Sequence, residues 1–290
     1  MSCSEWLGLL RSLIVYWRPG RQKKLRRLYR PFVGPGDLVF DVGAHLGDRS
    51  VAFAALGARV VALEPQPQVV PWLRRLVERH DSIIVRAEAV GGAAGTARLA
   101  ISRRTPSVST LAETWRRKLP EANPGFGRVR WEDAVEVPVI TLDALIEIHG
   151  LPRFCKIDVE GYEAEVLAGL SYPIPGVSVE FVSGGLEVAV ACIHRLAQLG
   201  TYEFNAIAGE GREFVFDGWV RSEGIADWLD EGAGGALSGD IYARLRFARQ
   251  NIDSRTNTVA GVRPSGVGYQ AGCLPDPATA LAQIEARPPL

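Results

Sequence analysis

Two short stretches of this chain carry charge where the surrounding sequence is apolar. The first is Lys156-Ile-Asp158-Val-Glu160-Gly161, at the end of an apolar run that begins at Phe154. In an extended strand alternate residues share a face, so Lys156 and Asp158 point the same way. Glu160 then falls in a loop and Gly161 permits the turn into a helix. Three charges in an apolar sequence are costly unless they are paired or used. Two readings stand: an internal Lys156–Asp158 ion pair with Glu160 capping the next helix, or a proton-handling site in which Asp158 is the first candidate base or orienter, Glu160 the second, and Lys156 their electrostatic partner.

The second stretch is residues 38–64. An apolar run, Leu38 to Phe40, ends in Asp41. Gly43, Ala44, His45 and Gly47 form a turn before a helical segment, and a second apolar run ends in Glu64. Strand, glycine turn, helix, strand and acidic tip describe a right-handed β-α-β nucleotide site. Gly43 lets backbone approach a ligand closely, and Glu64 can accept bonds from the vicinal hydroxyls of a ribose. The spacing Gly43-x-x-x-Gly47 is neither the dinucleotide G-x-G-x-x-G nor a G-x-x-x-x-G-K-[ST] phosphate loop. An acid beside the turn, Asp41, repels phosphate and suits a ligand with a cationic end and a ribose, such as S-adenosylmethionine. A structural turn without a ligand is the plainer alternative. Further on, Glu88 and Ala89 follow a third strand, Ser82–Arg86, beside the expected crevice. Glu88 is either an acceptor for an adenine amino group or a surface acid.

The elements that must position these residues are those of an α/β domain. Helical spacing recurs at Val69–Val77, Leu142–Leu145, Tyr162–Leu170, Leu186–Leu199 and Ser222–Asp230. Further strands are expected at Thr96–Ile101, Val135–Ile140, Val177–Phe181, Tyr202–Ile207, Glu213–Phe216 and Asp240–Leu245. The chain divides into a basic helical extension (1–36), a main domain (37–246) and a Pro/Gly-rich, loosely ordered tail (247–290). Within the main domain the polar segment 102–133 reads as a mobile insertion or lid over the crevice.

The 290 residues have zero formal net charge, which argues against a dedicated nucleic-acid binder. Residues 1–30 are the exception, with eight Lys and Arg against Glu5 alone. The Trp6–Trp17 stretch is apolar but too short to span a bilayer. With the basic run behind it, it suits either contact with an anionic membrane surface or packing on the domain or on a second copy. The four cysteines lack metal-ligand spacing and read as reduced thiols of a cytosolic protein. For metal ligation by Asp158 and Glu160 no histidine or third carboxylate is obviously placed, so no metal site is expected.

These blocks, together with Val137-Pro-Val-Ile-Thr-Leu-Asp143 and Val179-Glu180, resemble the FkbM family of S-adenosylmethionine-dependent methyltransferases over residues 37–182. The resemblance implies a class I methyltransferase (Rossmann-like) fold: a doubly wound, seven-stranded, mostly parallel sheet with an antiparallel last hairpin. It implies O-methylation of a hydroxyl on a small molecule or saccharide. Asp41, Gly43 and Gly47 match the cofactor loop, Glu64 the ribose acid, and Lys156, Asp158, Glu160 and Gly161 the second signature. His45 departs from the family, which usually has asparagine there. A histidine at this point can titrate near neutral pH, tune cofactor binding or act as base; a tolerated replacement is the plainer reading. The competing classes are a non-catalytic scaffold that keeps the fold and a nicotinamide-dependent oxidoreductase. The missing G-x-G-x-x-G speaks against the second.

Overall fold

The computed structural model describes residues 3–246, apart from residues 210 and 212. The expected tail, 247–290, lies outside the described residues. The first half of the chain runs α1 (Cys3–Tyr16), α2 (Arg21–Tyr29), β1 (Leu38–Val42), α3 (Asp48–Ala54), β2 (Arg59–Leu63), α4 (Val70–Val77), β3 (Ile83–Arg86), β4 (Ala89–Val90), β5 (Gly95–Ile101) and α5 (Glu113–Ala122). The second half runs β6 (Asp133–Ile140), α6 (Leu142–His149), β7 (Phe154–Ile157), α7 (Glu163–Ala168), β8 (Gly176–Val182), α8 (Leu186–Leu199), β9 (Tyr202–Ala208), α9 (Ser222–Asp230) and β10 (Ser238–Leu245).

Seven strands form one sheet in the order β3-β2-β1-β7-β8-β10-β9. The strands from β3 to β8 are parallel, and β10 runs antiparallel to both β8 and β9. This is the doubly wound class I methyltransferase sheet. The central strands are apolar on both faces because both faces are covered by helices. Phe40 and Val42 point into a core shared with Leu167 of α7 and Ile193 of α8. Val39 and Val60 point the other way, into a core with Leu25 and Tyr29 of α2 and Phe53 of α3. The chain reverses at β1/β7, where an open α/β sheet leaves a crevice at its carboxyl edge. Asp41 and Asp158 both stand at that edge.

Packing on the domain, one of the readings open for residues 1–36, holds for Leu25, Leu28, Tyr29, Phe32 and Val33, which are part of the second core. Two expectations differ from the structure. Ala89–Val90 does not close the third strand; it pairs with β6 in a separate sheet, ordered β4-β6-β5. Glu213–Phe216 is not a strand. There the Asn205 side chain accepts from the Phe216 amide at 3.2 Å and donates to the Phe216 carbonyl at 3.0 Å, taking bonds that a ladder would use.

Candidate active site

The turn after β1 is built from backbone bonds. Gly43 and Ala44 both donate to the Leu63 carbonyl, at 3.0 and 2.9 Å. The His45 amide donates to Glu64 Oε2 at 2.9 Å, and Gly47 donates to Ala44 at 2.8 Å. These amides are therefore committed within the chain, and the turn is not a phosphate cradle. Gly43 has φ 79°, and a Cβ there would lie 1.8 Å from the Asp158 carbonyl oxygen. The close approach that demands glycine is thus to the end of β7, which corrects the expectation that a ligand demands it. Asp41 is buried and accepts from Ser50 Oγ at 2.5 Å. Burial raises its pKa, against the lowering influence of Lys156.

His45 sits at φ 48°, in the left-handed region that Asn, Asp and His enter more readily than other side chains. That shared tolerance explains how it replaces an asparagine. Its ring packs edge-on against Tyr16, with centroids 5.2 Å apart. Neither ring nitrogen has a partner among the described residues. Burial lowers its pKa to about 4. The expectation that His45 titrates near neutral pH is therefore corrected: it is neutral there.

Glu64 is buried. One carboxylate oxygen accepts from the His45 amide and the other from the Gln66 amide, each at 2.9 Å. Each oxygen retains a further acceptor position. Burial pushes its pKa up to about 7, against those two bonds. Glu88 is held differently. Arg86 grips it bidentately, at 2.8 and 2.6 Å, which lowers its pKa and commits the carboxylate. Ala89 lies beside it in the same cleft wall.

The second constellation assembles at the ends of β7 and β8. Lys156 Nζ donates to Asp158 Oδ2 at 2.6 Å, and Arg49 of α3 stands 3.9 Å from the same oxygen. Burial alone would raise the Asp158 pKa; Lys156 and Arg49 overcome it and keep the carboxyl ionised. Glu160, at φ 57°, and Glu180 of β8 are both pushed well above the usual carboxylate range, by burial first and Asp158 second. Ile157 is in register with Val179, which sets Glu180 beside Asp158. Oxygens of Asp158, Glu160 and Glu180 lie within 4.8 Å of one another. The expectation that no third carboxylate stands there is corrected, although Lys156 already supplies Asp158 with a cationic partner. Glu160 does not cap the next helix. Glu163 braces the loop instead, accepting from the Val159 and Gly161 amides at 3.0 and 3.3 Å.

One cleft joins the two constellations. It encloses about 980 Å³, part of it open to solvent. Its lining holds Asp41, Gly43, Ala44, His45, Glu64, Glu88, Ala89, Asp158 and Glu160 from the sequence reading; Gly47, Lys156 and Gly161 support it from behind. A Cβ at Gly47 would lie 2.6 Å from Leu73 Cδ1, and one at Gly161 2.3 Å from the Trp115 ring. The 102–133 segment lines the cleft through Ser107, Ser109, Thr110 and Leu111, and buried Trp115 and Leu119 pin it down. Arg49, Glu180 and Tyr16 line the cleft without having been singled out as site residues. Tyr16 arrives from α1, which Trp17 anchors by donating to the Leu46 carbonyl at 3.2 Å.

The model of the methyltransferase FkbM domain matches residues 41–184, from the Asp41 strand end to just past Glu180. Residues 41–184 form an FkbM methyltransferase domain. Hexuronic acid methyltransferase AglP of Haloferax volcanii is 29% identical over 148 residues, which are 50% of this chain. The match spans 55% of that protein, a little over half its length. Among solved structures, the FkbM chain is similar to a TehB-like SAM-dependent methyltransferase from Corynebacterium glutamicum (10% identity, TM-score 0.41, 84% of this chain and 98% of that one). It is also similar to precorrin-6y C5,15-methyltransferase from Geobacter metallireducens (12% identity, TM-score 0.40, 78% and 88%). Both constellations fall inside the FkbM match. Tyr16 and the rest of α1 and α2 fall outside it.

Proposed function

We propose that this FkbM protein transfers a methyl group from S-adenosylmethionine to a hydroxyl of a saccharide or similar small molecule. The observation that carries the reading is the hydrogen-bonding character of the cleft. Its lining is rich in carboxyl acceptors, Glu64 and Asp158 among them, and its turn amides are committed to Leu63 and Glu64. Such a lining suits a nucleoside without phosphates. Glu64, with an open acceptor position on each oxygen, fits a ribose diol.

When bound, the cofactor supplies a methyl group already activated by its sulfonium. The chain must align the acceptor oxygen, exclude water and receive a proton. Asp158, held ionised by Lys156 and Arg49, accepts a hydrogen bond from the acceptor hydroxyl and fixes its direction. Its lowered pKa makes it a weak base. Glu160, whose pKa burial and Asp158 raise, is the stronger base of the two and would take the hydroxyl proton as the C–O bond forms and the methyl group leaves the sulfonium, passing it on to solvent. Support for a sugar acceptor comes from the name of the Haloferax volcanii relative.

Calorimetric titration with S-adenosylmethionine, with NAD in parallel, tests this. Saturable binding of S-adenosylmethionine alone, lost in Glu64→Ala, is the expected result. Binding of NAD in its place, or no binding of S-adenosylmethionine by a folded sample, overturns it. The second result would favour a non-catalytic scaffold.

A further inference from the structure

Helix α1 has two apolar faces and only one is used by the fold. Leu9 is buried against Leu46 and Val69, and Leu13, Trp17 and Trp72 pack around them. A quarter-turn away, Leu7, Leu10 and Ile14 are 62%, 48% and 66% exposed. Their 3–4 spacing makes one stripe along the helix, and exposed Arg11 and Arg18 flank it. In α2, Lys23, Lys24, Arg26, Arg27 and Arg30 are exposed as well, whereas Arg21 turns inward to Asp48 at 2.6 Å. The only acid in residues 3–36 is Glu5.

We infer that α1 and α2 dock this protein on an anionic lipid surface, with the Leu7–Leu10–Ile14 stripe lying in the headgroup region. Three observations choose this occupant. An isolated apolar stripe between cations is the pattern of a helix lying in a bilayer interface. A run of exposed Lys and Arg beside it complements anionic headgroups. No described helix is long and apolar enough to cross a membrane, so the stripe rests along the surface. The helix is also rigidly presented. Gly8 packs so closely that a Cβ would lie 2.5 Å from the Arg103 carbonyl oxygen, and Leu9 and Leu25 are each 1% exposed. Because Tyr16, at the end of α1, lines the cleft, docking places the cleft beside the lipid surface.

Flotation of the full chain with vesicles tests the inference, using phosphatidylcholine alone and phosphatidylcholine with phosphatidylserine. Binding to the anionic vesicles, falling as salt is raised, is expected. Leu10→Glu with Ile14→Glu should weaken it at least tenfold, as expected when two buried aliphatic side chains are lost from the interface. Lys23→Ala with Lys24→Ala should weaken it roughly 25-fold at low salt, about fivefold for each charge. Thermal unfolding of each variant checks its fold, and if the first pair is destabilised the lysine pair decides. Binding that ignores lipid charge, or survives both pairs unchanged, overturns the inference. So does a lipid-free dimer of the parent chain that Leu10→Glu with Ile14→Glu dissociates, since the stripe would then belong to a second copy.

Discussion

Ionisation of Glu64 should control how tightly the proposed cofactor binds. The carboxyl is 3% exposed and accepts two backbone amides at 2.9 Å, yet burial outweighs both and moves its pKa from 4.5 to about 7. Only the carboxylate offers acceptors on both oxygens to a ribose diol. The ionised fraction rises from about a tenth near pH 6 to about nine tenths near pH 8, so affinity should tighten roughly tenfold across that range. The sign for stability is opposite. A carboxyl whose folded pKa is raised favours the folded state while protonated, so stability falls as pH climbs from about 4.5 towards about 7, by up to about 3 kcal/mol. The assay is calorimetric titration across the pH range in buffers of different ionisation enthalpy, on the parent and on Glu64→Gln. The amide keeps the shape and cannot ionise, so the Glu64 share of the pH slope disappears. An identical slope in Glu64→Gln would refute the reasoning, because some other group would then be titrating.

Glu160→Gln should lower turnover by about 10²- to 10⁴-fold, the usual value of a general base, with cofactor affinity little changed; an equal loss of affinity in titration would move Glu160 from proton acceptor to binding group. Lys156→Met leaves Asp158, its side chain 19% exposed, with Arg49 at 3.9 Å as the cation beside it and should cost about 3 kcal/mol in urea unfolding. Because the Asp158 pKa is depressed, the pair stabilises the parent above the ordinary carboxylate pKa and is lost as pH falls through the lower folded value, so the acid limb should move to higher pH in Lys156→Met. A loss under about 1 kcal/mol, with no shift of that limb, would mean the ion pair is of no consequence. Gly161→Ala forces a Cβ into the Trp115 ring at φ 89° and should destabilise by about 2–4 kcal/mol; an unchanged melting temperature would show that the 102–133 segment yields freely. His45→Asn should leave the pH profile of turnover unaltered, since His45 is already neutral above about pH 4; a limb near neutrality that vanishes in the variant would contradict its burial.

Alternation along a strand was enough to put Lys156 and Asp158 on one face, and the 2.6 Å bond between them is the consequence. The turn from Asp41 to Gly47 and the acid at Glu64 were legible for the same reason: both lie within one β-α-β unit, where local order determines position. Glu180 was visible as an acid in the apolar run Val177–Phe181 and within the block Val179-Glu180, without a role. Its place beside Asp158 depends on β8 being the neighbour of β7 and on their register, which no local pattern encodes. Arg49 reads as an ordinary helix charge until α3 is laid over the carboxyl ends of the strands. The role of Tyr16 was hidden, and the packing of α1 and α2 stayed open, because helical periodicity reveals that a face is apolar and not what covers it. The burial of His45 follows from Tyr16 and was hidden with it.

The contact between Gly43 and the Asp158 carbonyl has a consequence for how this protein can diversify. The turn proposed to face the cofactor and the loop proposed to face the acceptor touch backbone to backbone, with no side chain between them to absorb a substitution. Drift at either turn displaces both, so variants there are selected against on two counts at once. The remaining cleft walls, Tyr16 from α1 and Ser107 to Leu111 from the 102–133 segment, take no part in that contact. New acceptor preferences should therefore accumulate in those two walls while the paired turns stay fixed.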